Sequence, residues 1–492
     1  MVCKSGGFCR RYCGFLIVSV LAACLLAGTG SAQQWLPSPA ATASVTVSSP
    51  LQSLSPSDPL LGSVPEGKLD PNPIQLTLLD AIDRGLKRNL GLLLASQNTR
   101  LAEGAKRSSL SLLLPNVALA LQGAEEQVSL VAEGFPQRLL PGGVAILGPF
   151  SVFQAGPTLS ENLNLKDFNT WKASRENIKA AGLSYRSTRD LVVLVVGATY
   201  LQAQTNAARV ESVQAQVETA QALYDQAQDL RRVGMAPGID VLRAQVELEA
   251  EQQRLVVAEN DYEKQLLTLA RVIGLPPAQK FVLADKIPAP APVEISQEQA
   301  LERAYDNRAD YKRAESQVHS AELLKRASES ERLPSIGING NYSVMGQTPG
   351  NSHGTFAAAG SVELPLFQGG KVRGDVLQAD ARLQQARSEL EDLHSRIEYE
   401  IRTAFLDVNA ASKQLEVATS ALALARQQVG QSRDRFTYGV TNNVEVIQAQ
   451  QAQATAEENY IAGLFAHNYA KLSLARALGI AEEATKKFLG GK

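Results

Sequence analysis

Residues 77–115 read TLLDAIDRGLKRNLGLLLASQNTRLAEGAKRSSLSLLLP, and residues 296–334 read SQEQALERAYDNRADYKRAESQVHSAELLKRASESERLP. Aligned without gaps at an offset of 219, they share 11 identities in 39 positions, among them Ala81/Ala300, Arg84/Arg303, Lys106/Lys325, Arg107/Arg326 and Pro115/Pro334. A second block follows: 234–275 aligns to 439–480 at an offset of 205, with 9 identities in 42, including Gly234/Gly439, Gln245/Gln450, Arg271/Arg476 and Gly274/Gly479. Two blocks in one order over most of the chain mark an internal duplication. The offset falls by 14, so the first half carries extra residues, placed here in the Gly- and Pro-bearing stretch 134–149.

Each half follows one grammar. Thr77 or Ser296 suits an N-cap and opens a helix predicted over 75–114 and 296–333. Pro115 or Pro334 ends it, because proline lacks an N–H and disfavours helix at the residue before it. Strand-like segments come next, then very long helices predicted over 167–232 and 370–437. A glycine-containing turn reverses each, and return helices run over 240–273 and 444–478.

The strand segments alternate. In 335–344, Ile336, Ile338, Tyr342 and Val344 share one parity; Ser335, Asn339, Asn341 and Ser343 share the other. In 154–165 the odd positions are mostly apolar, with Glu161 the exception, and 116–122 and 356–366 alternate less sharply. Such segments of about ten residues fit membrane-barrel strands with apolar side chains outward. They equally fit a half-buried sheet in a soluble domain. Four strands cannot close a barrel alone, since the smallest need about eight, and lipid tolerates no open edge. If these strands enter a membrane, several chains share one barrel.

The long helices carry a seven-residue interval: Val376, Leu383, Leu390, Ile397, Ala404, Ala411, Ala418 and Ala425. Sustained this far, the interval indicates coiled-coil packing. A helix of this length spans roughly 100 Å at ~1.5 Å per residue.

Composition bounds the function. The chain has 492 residues with 20% charged and only 5% aromatic side chains. A net charge of -2 implies no nucleic-acid partner. The four cysteines, Cys3, Cys9, Cys13 and Cys24, precede residue 25, so the remainder holds no disulfide or thiolate metal site. His319, His353, His394 and His467 are scattered without metal spacing, and no cofactor motif or paired catalytic carboxylate stands out. The N-terminus reads as an export signal: Lys4, Arg10 and Arg11, an apolar run from Phe15, then Gly30-Ser31-Ala32. It is read as a signal peptide over 1–32; alternatively Leu21-Ala22-Ala23-Cys24 is a lipobox, with a lipoprotein signal over 1–23 and lipidation at Cys24. Beyond it no run approaches 18 consecutive apolar residues. Residues 33–73 hold eight prolines and eight serines and read as a flexible extension. The repeats then occupy 74–275 and 296–480, joined by a Pro-rich linker over 276–295 and followed by a tail over 481–492.

The order of helix, Leu-Pro break, strands, long helix, glycine turn and return helix, given twice, resembles the TolC-like outer-membrane efflux and secretion channels. So do Leu76-Thr77-Leu78-Leu79-Asp80-Ala81, Leu113-Leu114-Pro115, Arg332-Leu333-Pro334 and Leu364-Pro365-Leu366-Phe367-Gln368-Gly369-Gly370. The resemblance covers about residues 74–480. It implies a mainly α fold with a membrane β-barrel: long antiparallel coiled-coil helices forming an α-barrel, and four transmembrane strands per chain. Three chains would share a twelve-stranded barrel. It also implies no enzyme activity and no cofactor. The implied partners are outer-membrane lipid, a periplasmic adaptor (membrane-fusion) protein and an inner-membrane transporter, in a tripartite efflux pump or type I secretion system. The implied place is the outer membrane with a periplasmic extension.

On the resemblance, the two helix turns form the periplasmic tip. Gly234, Met235, Ala236, Gly439, Val440 and Thr441 are the expected adaptor-docking residues. Asp240, Glu445, Gln448 and Phe436 are the expected periplasmic gate. Gln448 stands where the family carries a second acid, and Thr441 where an arginine is common. Asp240 and Glu445 also suit a plainer role as first-turn acids favoured by the helix dipole. The rival readings are a structural periplasmic coiled coil and an adaptor protein; a single-hairpin adaptor leaves the duplicated strands unexplained.

Overall fold

The computed structural model describes residues 55–488, except 56, 66–68, 70, 135, 137–144, 286–294, 439 and 442; of Thr485–Phe488 only the backbone is described. The export signal and Cys24 lie outside these residues. The described residues belong to one compact unit, Ser49–Lys492.

The first repeat opens with β1 (Ile74–Leu76), then α1 (Leu78–Arg88) and α2 (Leu90–Ser111). Thr77 and Asp80 form a reciprocal capping box at the start of α1. The sequence predicts one helix through this region; the structure divides it at Asn89, whose φ of -61° and ψ of 132° are extended. Asn89 ends α1 and caps α2, its Oδ1 accepting from the Gly91 N–H at 3.0 Å. Its Nδ2 donates to Leu60 O at 2.7 Å, which ties a strap at Asp58–Val64 to the break. The second repeat breaks at the matching place, between α5 (Gln297–Asn307) and α6 (Ala309–Glu329). Arg308, at that break, makes no side-chain cap. It is 2% exposed and is held by Asp310, Glu400 and the carbonyl of Ala477.

Strands β2 (Asn116–Ser129), β3 (Ile146–Leu163), β5 (Ser335–Gly346) and β6 (Ser352–Glu363) form one antiparallel sheet in the order β2-β3-β5-β6. Its centre joins the repeats, with Leu159 opposite Gly340 and Leu163 opposite Ile336. The β2–β3 connection spans 130–145 and the β5–β6 connection 347–351, so 11 of the 14 extra residues of the first half fall there. One sheet face carries Val117, Leu119, Leu121, Ile336, Tyr342, Phe356 and Val362, all exposed. The other is polar, with Gln154 Nε2 donating to Ser343 Oγ at 3.0 Å. The outer edges of β2 and β6 have no strand partner among the described residues. A further strand, β4 (Phe281–Leu283), lies in the inter-repeat linker and pairs in parallel with β1.

From the sheet run the long helices, α3 (Leu165–Arg232) and α7 (Lys371–Thr437), which return as α4 (Gly238–Ile273) and α8 (Asn443–Ala477). Helix α2 packs on α3, α3 on α6 and α6 on α7, giving a wall of four helices beneath the sheet. Below it α3 pairs with α4 and α7 with α8. Of the predicted heptad series, Leu383, Ile397, Ala404, Ala411, Ala418 and Ala425 are buried. A second series, Ile401, Val408, Leu415, Leu422, Val429 and Phe436, is buried as well. The two alternate at spacings of four and three, the a/d seam of a coiled coil.

One stretch of α3 is long and apolar enough to cross a membrane, but 72% of it is buried within the chain. It supplies Val192, Val193, Val196 and Tyr200 to a core with α1, β1 and the end of α4. There Tyr200 OH donates to Leu76 O at 2.9 Å. A second core gathers Ala300, Ala304, Ile397, Ile401 and Leu474. The tail begins as a short helix, α9 (Ala481–Phe488), anchored by Arg189 to Glu482 at 2.8 Å.

Candidate functional site: the helical tip

Both hairpins end in glycine turns built alike. After α3, Gly234 takes φ +79°, Met235 N–H donates to Leu230 O at 2.8 Å, and Gly234 N–H donates to Arg231 O at 3.0 Å. That pair of bonds is a Schellman motif, which needs a left-handed residue at its centre, a conformation glycine reaches without steric cost. After α7, Val440 N–H donates to Arg435 O at 2.9 Å across the same interval. Gly439 itself lies outside the described residues. Met235 is 76% exposed and Val440 68%, and Ala236 is half-buried beside them. Among the described residues, nothing covers the side chains of Met235 and Val440 at the end of the hairpins.

Behind the turns sits a small core of Leu223, Ala227, Val241, Ala244, Phe436 and Val446, drawn from all four helices. The structure thus places Phe436, at 7% exposure, inside the packed tip. Asp240 is also buried, with Oδ1 3.3 Å from Arg243 Nη1. Its backbone carbonyl accepts from Asn443 Nδ2 at 2.8 Å, which joins the first hairpin to the second. Asn443 is wholly buried, and sequence reasoning passed over it. Its partner lies 203 residues away, which no local signal reports.

Glu445 lies apart from Asp240's partners. It accepts from Thr441 Oγ1 at 2.6 Å and faces Arg435 Nη1 at 3.4 Å. The half-buried Thr441 therefore caps the acid of its own helix start. Gln448, one turn on, is exposed. The structure brings Glu445 and Thr441 together and sets Phe436 and Asp240 in the core beside them.

Higher up, α3 and α8 are clasped by polar pairs that the sequence reading also missed. Arg209 forms a two-pronged ion pair with Glu458. Ser212 Oγ donates to Glu457 at 2.5 Å, and Arg426 of α7 reaches Glu457 at 3.4 Å. Burial alone would raise the Glu457 carboxyl, but hydrogen bonds from Ser212, Gln453 and Gln216 outweigh it and hold it below the usual range. Glu251 on α4, 4% exposed, is instead pushed up by burial. Among the described residues, no group of three or more His, Cys, Asp or Glu side chains is placed to hold a metal ion.

The profile of the outer membrane efflux protein family matches residues 81–275 and 300–480, one match in each repeat. The chain belongs to that family. The outer membrane protein TolC of Escherichia coli is 22% identical over 338 residues, covering 64% of this chain and 68% of the relative. Protein CyaE of Bordetella pertussis is 26% identical over 317 residues, covering 63% and 67%. The CmeC outer-membrane channel of Campylobacter jejuni has the same fold, with a TM-score of 0.72 at 18% identity over 86% of this chain and 92% of that one. As an outer membrane efflux protein, the chain is an outer-membrane channel of the efflux and secretion type. The exposed apolar sheet face suits a lipid surface, and the long helices form the wall described above. The family is one of channel proteins.

Proposed function

We propose that three copies of the chain form one channel and that the tip is both its gate and its docking point. The supporting observation is the four-stranded sheet with an exposed apolar face and two unpaired edges, β2 and β6. An open edge in lipid leaves backbone N–H and C=O groups unpaired, at several kcal/mol each. Three copies joined edge to edge give twelve strands, enough to close, and place α2 of one chain beside α7 of the next.

Glu445 and Gln448 face the lumen at the narrow end, where three carboxylates select cations. Asp240 and Phe436 act from behind, holding the two hairpins in register. The exposed Met235 and Val440, with Gly234, Ala236, Gly439 and Thr441, receive an adaptor protein, which couples the channel to an inner-membrane transporter. The chain works without cofactor and without chemistry of its own.

The test is single-channel recording in planar bilayers, with wild type beside Glu445→Gln. Stable pores whose cation preference falls with the substitution support channel and gate together. Pores indifferent to it keep the channel and remove Glu445 from the gate. Folded protein that makes no pores, or whose detergent-solubilised mass is not that of three chains, overturns the assembly.

A further inference from the structure

Far from the tip, toward the sheet end of α3, the chain holds a groove of about 670 Å³ between α3 and α6. Its α3 side is Lys179, Gly182, Leu183 and Arg186; its α6 side is Lys312, Glu315, Ser316 and His319. On each helix these positions fall three or four apart, so each set shares one face. Three permanent cations meet there with one lining carboxylate. Lys179 is 3.8 Å from Glu176 and His319 3.3 Å from Glu322, both in the helix that bears them. Lys179 keeps 63% of its side chain exposed, and Arg186 and Lys312 are exposed as well.

Two further observations set the groove apart from an ordinary solvated helix face. Ser316 is 2% exposed, lines the groove, and its Oγ has no hydrogen-bond partner among the described residues. A buried hydroxyl left so is unfavourable, and a ligand oxygen in the groove would supply the partner. Gly182 lies inside a 68-residue helix, and a Cβ there would meet no heavy atom within 4 Å. Glycine within a helix is less favourable than alanine. Packing does not demand it here; what its missing side chain preserves is the open groove.

We propose that this groove binds a soluble multivalent oxyanion of the phosphate class. Lys179, Arg186 and Lys312 supply charge and N–H donors, Arg186 in a fork suited to two oxygens, and Ser316 supplies the buried hydroxyl. Two placements fix the kind of ligand. The groove lies between α3 and α6 in the middle of one chain's wall, away from the β2 and β6 edges, so a neighbouring copy does not fill it. Gly182 also follows the start of α3 at Leu165 by roughly 25 Å of helix. Lipid headgroups extend only about 5–8 Å beyond the hydrocarbon, so a phospholipid phosphate does not reach it.

The test is titration calorimetry of the full assembled protein with pyrophosphate at low ionic strength. Expected is saturable binding, weakened at least tenfold in the double variant Arg186→Gln/Lys312→Gln and lost in Gly182→Leu. The leucine fills the groove while favouring helix, so circular dichroism and thermal stability should hold or rise. Ser316→Ala should weaken binding by a smaller factor, and added salt should weaken all of it. Equal binding by wild type and both groove variants, or no saturable binding by folded wild type, overturns the proposal. A second arm compares nanodiscs of phosphatidylglycerol with phosphatidylcholine. Loss of pyrophosphate binding only in phosphatidylglycerol would assign the groove to lipid headgroups and overturn the soluble ligand.

Discussion

Asn443 Nδ2 donates to the backbone carbonyl of Asp240 at 2.8 Å, linking the start of one return helix to the start of the other. Asn443 is fully buried and Asp240 nearly so. The bond therefore ties the two hairpins together at the tip. Asn443→Ala removes the donor and leaves a buried carbonyl unpaired, at about 1–3 kcal/mol. The expected outcome is a tip that opens more readily, seen as larger or longer single-channel openings. Unchanged openings would mean that the tie does not restrain the hairpins.

Gly234→Ala puts a Cβ on a residue at φ +79°. A left-handed non-glycine residue costs roughly 1–2 kcal/mol. The strain is confined to the α3–α4 turn, so global melting should barely move. Hydrogen exchange at Met235 and Ala236 should quicken, and adaptor capture should weaken.

Phe436→Ala empties the centre of the tip core. Truncating a buried phenylalanine costs about 3–5 kcal/mol. The end turns of all four hairpin helices should exchange faster, while the sheet and the cores near Tyr200 and Ile397 stay protected. Protease susceptibility near 230–240 and 436–446 provides a check.

Asp190 gives a pH signature. Burial is the main cause that lifts its carboxyl to about 6, with Glu482 and Asp310 adding to it and Arg476 and Arg189 opposing. The folded pKa lies above the unfolded value near 3.9, so the native state holds its proton longer. Stability from this group is complete at low pH and falls as pH rises through about 6. Asp190→Asn should then raise the melting temperature at pH 8 and leave it nearly unchanged at pH 4. The reverse pattern would show that Arg476 dominates the site.

Arg308 sits in an ionic knot with Asp310 at 2.6 Å and Glu400 at 2.6 Å, and Arg476 meets the same Glu400 at 2.8 Å. Burial works against the Arg308 charge, yet the two carboxylates outweigh it and raise its pKa. Arg308→Met strands Asp310 and leaves Glu400 to Arg476 alone, and breaking a buried pair from one side costs up to about 3–5 kcal/mol. The urea midpoint should fall, and the α5–α6 break should lose exchange protection first.

Much of the architecture was legible in local pattern. The Leu-Pro stops, the glycine turns and the seven-residue interval mark where helices end and which faces they bury. The second buried series was equally readable, since Phe436 follows Val429 by seven; that spacing marks a core residue. The helix break at Asn89 also left a signal, a capping residue after Lys87 and Arg88. The matching break at Arg308 left none, because no side chain caps it. It is held by Glu400, 92 residues away.

The sequence by itself determined the duplication, the helix lengths, the two-faced strands and the turns, because helix and strand periodicity are properties of neighbouring residues. Only the tertiary structure decided which acids stand free at the tip and which are engaged. Asp240 and Glu445 occupy equivalent positions in the two repeats, yet one is buried against Arg243 and the other is half-exposed beside Arg435 and Thr441. The same holds for Glu457 and Glu458, adjacent acids that the fold sets against Ser212 and Arg209 of α3. Charge pairing depends on side chains brought together across hundreds of residues, and only the packed hairpins set those distances.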